Sequence, residues 1–401
     1  MKTWLIALGL VLLQVATAMV FSDRNAANLG IAYTRLCQWD SHHYRDIVER
    51  GYAGYGMAAP ASQYVPEPPP GKTKDNASFF PGYPLIARFL HIELGINSEV
   101  ALLLVAQTAA VIFWAVFLRL LQHWRVQARY QALAVGGIFA HPCSFYLVMG
   151  YAESLFCATL VLIVYFSLGR SPRTELGWAV SGFVLSSTRI MGIPMAGLAG
   201  LNWLFRKRPS LIKSLLIGAF SALGAGLFFV YCKIHFGEFD HYMKNQKAGW
   251  EVVPDYLAVF KANNYDLTGN DDWKAMSWTP AILLLTALVE FIAFRGFRDS
   301  PKFRRGGLWR IRLPWYLGAL ALWYLSAAGV AAVSFRSLIR YSLPWTILLI
   351  IGWAHLFSYS VRLPKAGKAT ALLVLAILLA LLYSRKTLIF QDTYLYGGWV
   401  S

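Results

Sequence analysis

The sequence predicts an all-α polytopic membrane protein: a bundle of about 11 transmembrane helices with a long first outer loop, forming one integral membrane domain over residues 1–401. Three observations predict it. The chain is 57% hydrophobic and 14% charged, where a soluble protein carries about a quarter charged residues. Its mean hydropathy is +0.48, and only a bilayer acting as apolar solvent can hide that much apolar surface. Apolar runs of near-spanning length recur along the chain, and basic residues collect in the short segments between them.

In chain order, the first apolar run covers residues 4–20 behind a lone Lys2 and reads as the first transmembrane helix. Ala16-Thr17-Ala18 also resembles a signal-peptidase site, so cleavage is the alternative, and both readings export the next segment. That segment, 21–97, includes a Pro/Gly-rich stretch from Gly54 to Lys74 that is expected to be extended. Apolar runs follow near 99–118, 132–149, 153–169, 177–189, 191–205, 211–234, 278–294, 314–333, 344–360 and 369–384. Several are shorter than the ~20 residues of a perpendicular crossing, and the pair around Arg189 fits a re-entrant hairpin or broken helices.

The net charge of +17 invites a nucleic-acid partner, but its placement argues against one. Many of the 37 Lys and Arg residues lie at Lys2, Arg119, Arg125, Arg129, Arg170 and Arg173, in the groups at 206–213 and 295–312, and at Arg362, Lys365 and Lys368. Short basic loops stay cytoplasmic. With the N-terminus inside, the segments 21–97, 236–277 and 334–343 fall outside an inner (plasma) membrane, and the first two are the candidate walls of an active site. Cys37, Cys143, Cys157 and Cys232 have neither metal-site nor disulfide-framework spacing, so no metal or cofactor is expected.

The densest polar cluster is Trp39-Asp40-Ser41-His42-His43-Tyr44, continuing to Ile47, Val48 and Gly51-Tyr52. Read as a helix, it puts Asp40, His43, Tyr44, Ile47, Val48 and Gly51 on one face. Ile47 and Val48 then anchor that face on the membrane interface while Asp40 and His43 look into a cleft. Arg45/Glu49 and Asp46/Arg50 read as solvated i,i+4 pairs. The plain alternative for Asp40 is a helix N-cap. Phe79-Phe80-Pro81-Gly82-Tyr83-Pro84 is either an interfacial anchor or one wall of a lipid-substrate groove.

Glu153, in Tyr151-Ala152-Glu153-Ser154, lies at an outer turn between two spans. A carboxylate at mid-bilayer costs ~2.5–3.5 kcal/mol, so such a group needs a partner or a task. Arg189, at the next outer turn, is the candidate partner; a structural pair and a substrate contact both stay open. Arg336 and Arg340 depart from the positive-inside pattern. At i,i+4 they share one face and suit phosphate, with a lipid headgroup as the alternative. Gln246, Trp250 and Trp273 are candidates for a sugar-contacting wall.

In this order the segments resemble the bacterial PIG-V-type family of multispan mannosyltransferases, within the GT-C superfamily. The matching pieces are Trp39-Asp40 with Tyr44 and Gly51-Tyr52, Phe79-Phe80-Pro81 with Tyr83-Pro84, and His141-Pro142. They continue with Tyr151-Ala152-Glu153-Ser154, Arg189 with Gly192, Gln246 with Trp250, and Arg340 with Pro344. Gly82 departs, standing where the family usually has a larger apolar residue. The resemblance implies a GT-C-like bundle among membrane lipids. It implies inverting transfer of mannose (a hexose) from a polyprenyl-phosphate sugar to a glycan, lipid or protein acceptor on the non-cytoplasmic face. By the resemblance, Asp40 takes the position of the family's catalytic acidic residue.

The chemistry suits those residues. An inverting transfer needs a carboxylate to take the acceptor's hydroxyl proton. The departing lipid phosphate needs positive charge, for which Arg336 and Arg340 are the candidates, with Arg189 or Lys72 possible. Trp39, His43, Tyr44, Phe80, Tyr83, Glu153, Gln246 and Trp250 are the expected substrate contacts. A transporter or flippase of lipid-linked sugars is the alternative from another class, with Glu290 its main in-span charge. A non-catalytic subunit that binds lipid-linked sugar is the third reading.

Overall fold

The computed structural model describes residues 2–22, 28–52, 75–207, 209–266, 269–297 and 309–358. The stretch from Gly54 to Lys74 with Lys72, most of the basic 295–312 segment, Arg208, the basic residues at 362–368 and the 369–384 run lie outside them. Among the described residues every regular element is helical. The helices are α1 (Lys2–Ser22), α2 (Leu29–Thr34), α3 (Asp40–Arg50), α4 (Gly82–Leu94), α5 (Ser98–His123), α6 (Ala128–Phe139) and α7 (Glu153–Ser167). They continue as α8 (Pro172–Thr188), α9 (Leu198–Arg206), α10 (Leu211–Phe236), α11 (His241–Trp250), α12 (Asp271–Phe297), α13 (Trp309–Val330) and α14 (Leu338–Phe357).

By length and composition, α1, α5, α10, α12 and α13 can each cross a bilayer. Exposed Ile212, Leu216, Leu223 and Leu227 along α10 present the apolar surface that lipid solvates. The chain is an integral, multi-pass membrane protein. Two expected runs are not continuous helices. α6 stops at Phe139, and the chain passes through His141-Pro142 into a 3₁₀ turn, Ser144–Leu147. α8 ends at Arg189, which is extended (φ −158°, ψ 149°), and two 3₁₀ turns lead into the nine-residue α9. Pro142 and Pro194 each lack the N–H that an uninterrupted helix needs. The chain after Arg189 is thus irregular, with two 3₁₀ turns standing between α8 and α9.

The helices α12 and α14 run parallel. Asp272 meets Ser337 and Ile339 at their heads, and Trp353 Nε1 donates to Thr286 Oγ1 (3.2 Å) further along. α13 returns antiparallel, and a polar knot ties the far ends of the three. Arg312, 1% exposed, donates to both carboxylate oxygens of Glu290 (2.5 Å each). The Tyr316 hydroxyl donates to Glu290 Oε1 (2.9 Å), and Arg312 Nη1 lies 3.2 Å from His355 Nδ1. The carboxylate that a transport path would use is thus taken up by neighbours on the adjacent helices.

Gly82, the departure from the family pattern, opens α4 where it crosses the end of α8. A Cβ there would stand 2.8 Å from the Ser187 carbonyl oxygen, and a backbone atom cannot swing aside as a side chain can. Gly82→Leu, which restores a larger apolar residue, is expected to push α4 off α8 and destabilise the fold by about 1–3 kcal/mol. A thermal melt in detergent checks this; an unchanged Tm contradicts the seating of α4.

Candidate active site

The site starts from the way α3 is held. Ser41 Oγ donates to the Gly150 carbonyl (2.8 Å), and the Gly150 N–H donates to the Leu36 carbonyl (3.2 Å). A side chain at 150 would not fit, since its Cβ would lie 2.5 Å from Cys37 Sγ. The Tyr151 hydroxyl accepts from the Asp40 N–H (3.3 Å) and donates to the Gln38 carbonyl (3.1 Å). Asp40 is therefore clipped to the turn that carries Glu153.

Trp39 occupies the N-cap position in a conformation rare for a bulky residue, φ 54° and ψ −114°, and its side chain makes no capping hydrogen bond. Asp40 is the first helical residue, and its carboxylate goes elsewhere than to a cap.

The rest of α3 corrects two expectations. Tyr44, Ile47 and Val48 share a face, but it is buried within the protein and not laid on the membrane surface. Asp46 and Arg50 pair within the helix, whereas Arg45 pairs with Glu99 of α5 (2.6 Å) and Glu49 accepts from the Ser98 hydroxyl (2.6 Å). Both of the latter groups are engaged at the head of the neighbouring helix.

From the opposite end of the chain, Arg340 Nη1 donates to Asp40 Oδ2 at 2.7 Å. Arg340 Nε lies 3.5 Å from Glu153 Oε1, and Arg189 Nη2 reaches the same oxygen at 2.8 Å. Glu153 is 1% exposed and Arg340 5% exposed, so this is a buried carboxylate–guanidinium cluster. Three rings face the Arg340 guanidinium: Tyr146 and Tyr151 at 5.6 Å and Tyr341 at 5.3 Å. Burial pushes the Tyr44 phenol up from its ordinary value, against the pull of Arg189 beside it, so it stays protonated and can donate.

Asp40, Arg189 and Arg340 line a cavity of about 590 Å³. Tyr44, Phe80, Gln246, Trp250 and Arg336 line it as well. Arg336 and Arg340 do not reach it from one helical face: α14 begins only at Leu338, and Ser337 before it is left-handed (φ 67°). Trp39, His43, Tyr83 and Glu153 stand behind the wall. His43 stacks on Phe79 (4.8 Å) and meets Trp250 edge-on (5.6 Å). The Tyr83 hydroxyl donates to the Leu102 carbonyl (2.9 Å). Trp273 packs against Phe335 instead. Gln246 Nε2 donates to the Ser78 carbonyl (2.9 Å), tying α11 to the 75–80 segment. The lining also includes exposed apolar side chains, Met243, Val253 and Tyr256. Among the described residues no group of three or more His, Cys, Asp or Glu side chains is placed to hold a metal.

No protein-family model and no curated protein matches the chain. Among solved structures it is similar to ArnT from Cupriavidus metallidurans, a structure bound to undecaprenyl phosphate. The TM-score is 0.50 at 15% identity, covering 97% of this chain and 77% of that one. The fold is ArnT-like. At this identity the likeness is one of fold, and what the chain does rests on its own residues.

Several residues of the site were not singled out in the sequence. Tyr146 falls inside an apolar run and carries no local signal. Asp272 has one, the acidic pair Asp271-Asp272 ahead of an apolar run. Asp75, joined to His241 Nε2 at 2.6 Å, locks the 75–80 segment onto α11.

Removing Glu153 leaves two guanidinium groups facing each other without their shared counter-ion. Glu153→Ala is expected to destabilise by about 3–5 kcal/mol, whereas Arg336→Ala, at an exposed position, should stay within about 0.5 kcal/mol of the parent. Thermal melts of the two variants side by side check this ordering.

Proposed function

We propose that this chain is a glycosyltransferase of the GT-C type, moving a sugar from a polyprenyl-phosphate donor to an acceptor on the non-cytoplasmic face of the membrane. The observation that carries the reading is the Asp40–Arg340 pair on the wall of a cavity whose lining also includes exposed apolar side chains. A lipid-linked sugar phosphate has the same polarity: an apolar tail, an anionic phosphate and a sugar at the end. The ArnT structure holds undecaprenyl phosphate, a molecule with that tail and that anion. The resemblance to PIG-V-type enzymes points to mannose as the sugar.

The chemistry divides among the residues as follows. The acceptor hydroxyl oxygen attacks the anomeric carbon, and the bond from that carbon to the phosphate oxygen breaks with its electron pair leaving on the lipid phosphate. Asp40 takes the hydroxyl proton. Its Oδ2 is held by Arg340, which leaves Oδ1 for the proton. The pairing fixes the carboxylate's direction, so the base loses little orientational freedom as the reaction proceeds. Two acids stand against three guanidinium groups at this end of the cavity, with Lys247 also on the wall. That surplus of positive charge suits an anionic leaving group. Tyr44, Gln246 and Trp250 offer hydroxyl, amide and ring surface for the sugar.

Asp40→Asn keeps the shape and removes the base. It is expected to lower transfer by ~10²–10⁴ while the protein still inserts into membranes. The measurement is incorporation of label from tritiated polyprenyl-phosphate mannose into cell-envelope material, with insertion followed in parallel. Undiminished transfer by a normally inserted Asp40→Asn variant removes the mechanism.

A further inference from the structure

Arg340 sits in the first turn of α14, and the chain enters that turn through an unfavourable backbone. Ser334, Phe335 and Ser337 are all left-handed, at φ 56°, 60° and 67°, and none is glycine. A helix start of this kind is ordinarily fixed by its own N-cap side chain, but Ser337 makes no such bond. The cap comes from another helix. Asp272, 1% exposed, accepts from the Ser337 N–H through Oδ2 (3.0 Å) and from the Ile339 N–H through Oδ1 (2.8 Å).

Asp272 is itself fixed. Asn270 Oδ1 accepts from the Asp272 and Trp273 N–H groups (3.1 and 3.2 Å). The Trp273 ring meets Phe335 edge-on, with centroids 4.9 Å apart. A chain of contacts thus runs from the head of α12, through the left-handed turn, to the guanidinium that holds Asp40.

We infer that Asp272 is a positioning residue for the transfer reaction: its carboxylate fixes the opening turn of α14 and thereby the placement of Arg340 between Asp40 and the donor phosphate. It does not line the cavity and touches no substrate. The inference rests on the glycosyltransferase reading of the same site. Its negative charge at the head of α14 also favours that helix end, which a neutral replacement would forfeit. Asp272→Asn keeps the size but turns an N–H donor toward another donor at one of the two bonds, so Arg340 gains freedom. Misplacement of an aligned group by about 1 Å can cost ~10² in rate.

The test is a double-variant cycle in membranes bearing the full-length chain, supplied with tritiated polyprenyl-phosphate mannose. Asp272→Asn is expected to lower kcat on the order of 10²-fold with the donor KM little changed. In an Arg340→Lys background it should lower kcat no further, because a residue that acts only through Arg340 has nothing left to position. Asn270→Ala, a milder change that loosens the support of Asp272, should follow the same pattern and serves if Asp272→Asn does not fold. Losses that multiply independently with Arg340→Lys overturn the inference and leave the enzyme reading standing. Undiminished transfer by Asp40→Asn in the same membranes overturns the reading itself.

Discussion

One guanidinium holds the two ends of this protein together. Arg340 binds Asp40 across 300 positions of sequence, and everything around the cavity is arranged so that this contact can form. Removing ions from water costs several kcal/mol each even after relaxation. Here the cost is offset by close pairing, by Glu153 shared between Arg340 and Arg189, and by three tyrosine rings around Arg340. Well-packed apolar residues would serve stability as well or better. Charge retained at such a place, on the wall of a large cavity, is better explained by what the cavity binds.

The bundle keeps its two buried polar clusters apart. At one end of the α12, α13 and α14 set lie Asp272 and Arg340; at the other, Glu290, Arg312, Tyr316 and His355. The second cluster is closed, with each charged group engaged by the next helix. The first opens onto a cavity whose lining includes exposed apolar residues. That contrast separates a cluster that ties helices from one that can meet a ligand.

Much of this was legible in the sequence, for physical reasons that differ by element. Membrane residence follows from summed hydropathy, which does not depend on how helices pack. Glu153 stood out because a carboxylate near apolar sequence needs a partner, Arg189 as that partner, Arg340 as a departure from the positive-inside pattern, and Asp40 within the densest polar cluster. The Glu153–Arg189 pair was legible from the two outer turns and forms, whereas the Asp40–Arg340 pair was not, since spacing reports only local neighbours. The same limit explains why Arg45 and Glu49 looked like partners and turned out to be bound to Glu99 and Ser98 of α5. Arg336 and Arg340 were placed on one helical face, but the left-handed Ser337 starts the helix after Arg336. Asp272 was missed because its work is done on another helix, and Gly82 acquired its reason only when the Ser187 backbone was seen against it.

The most direct measurement is a cryo-electron microscopy structure of the full-length protein in lipid with polyprenyl phosphate bound. The phosphate is expected to seat against the Arg336 and Arg340 guanidinium groups, with its chain leaving past Met243, Val253 and Tyr256 and Asp40 facing the space where a sugar would attach. A phosphate seated away from both arginines, with Asp40 facing no part of the lipid's path, would contradict the account.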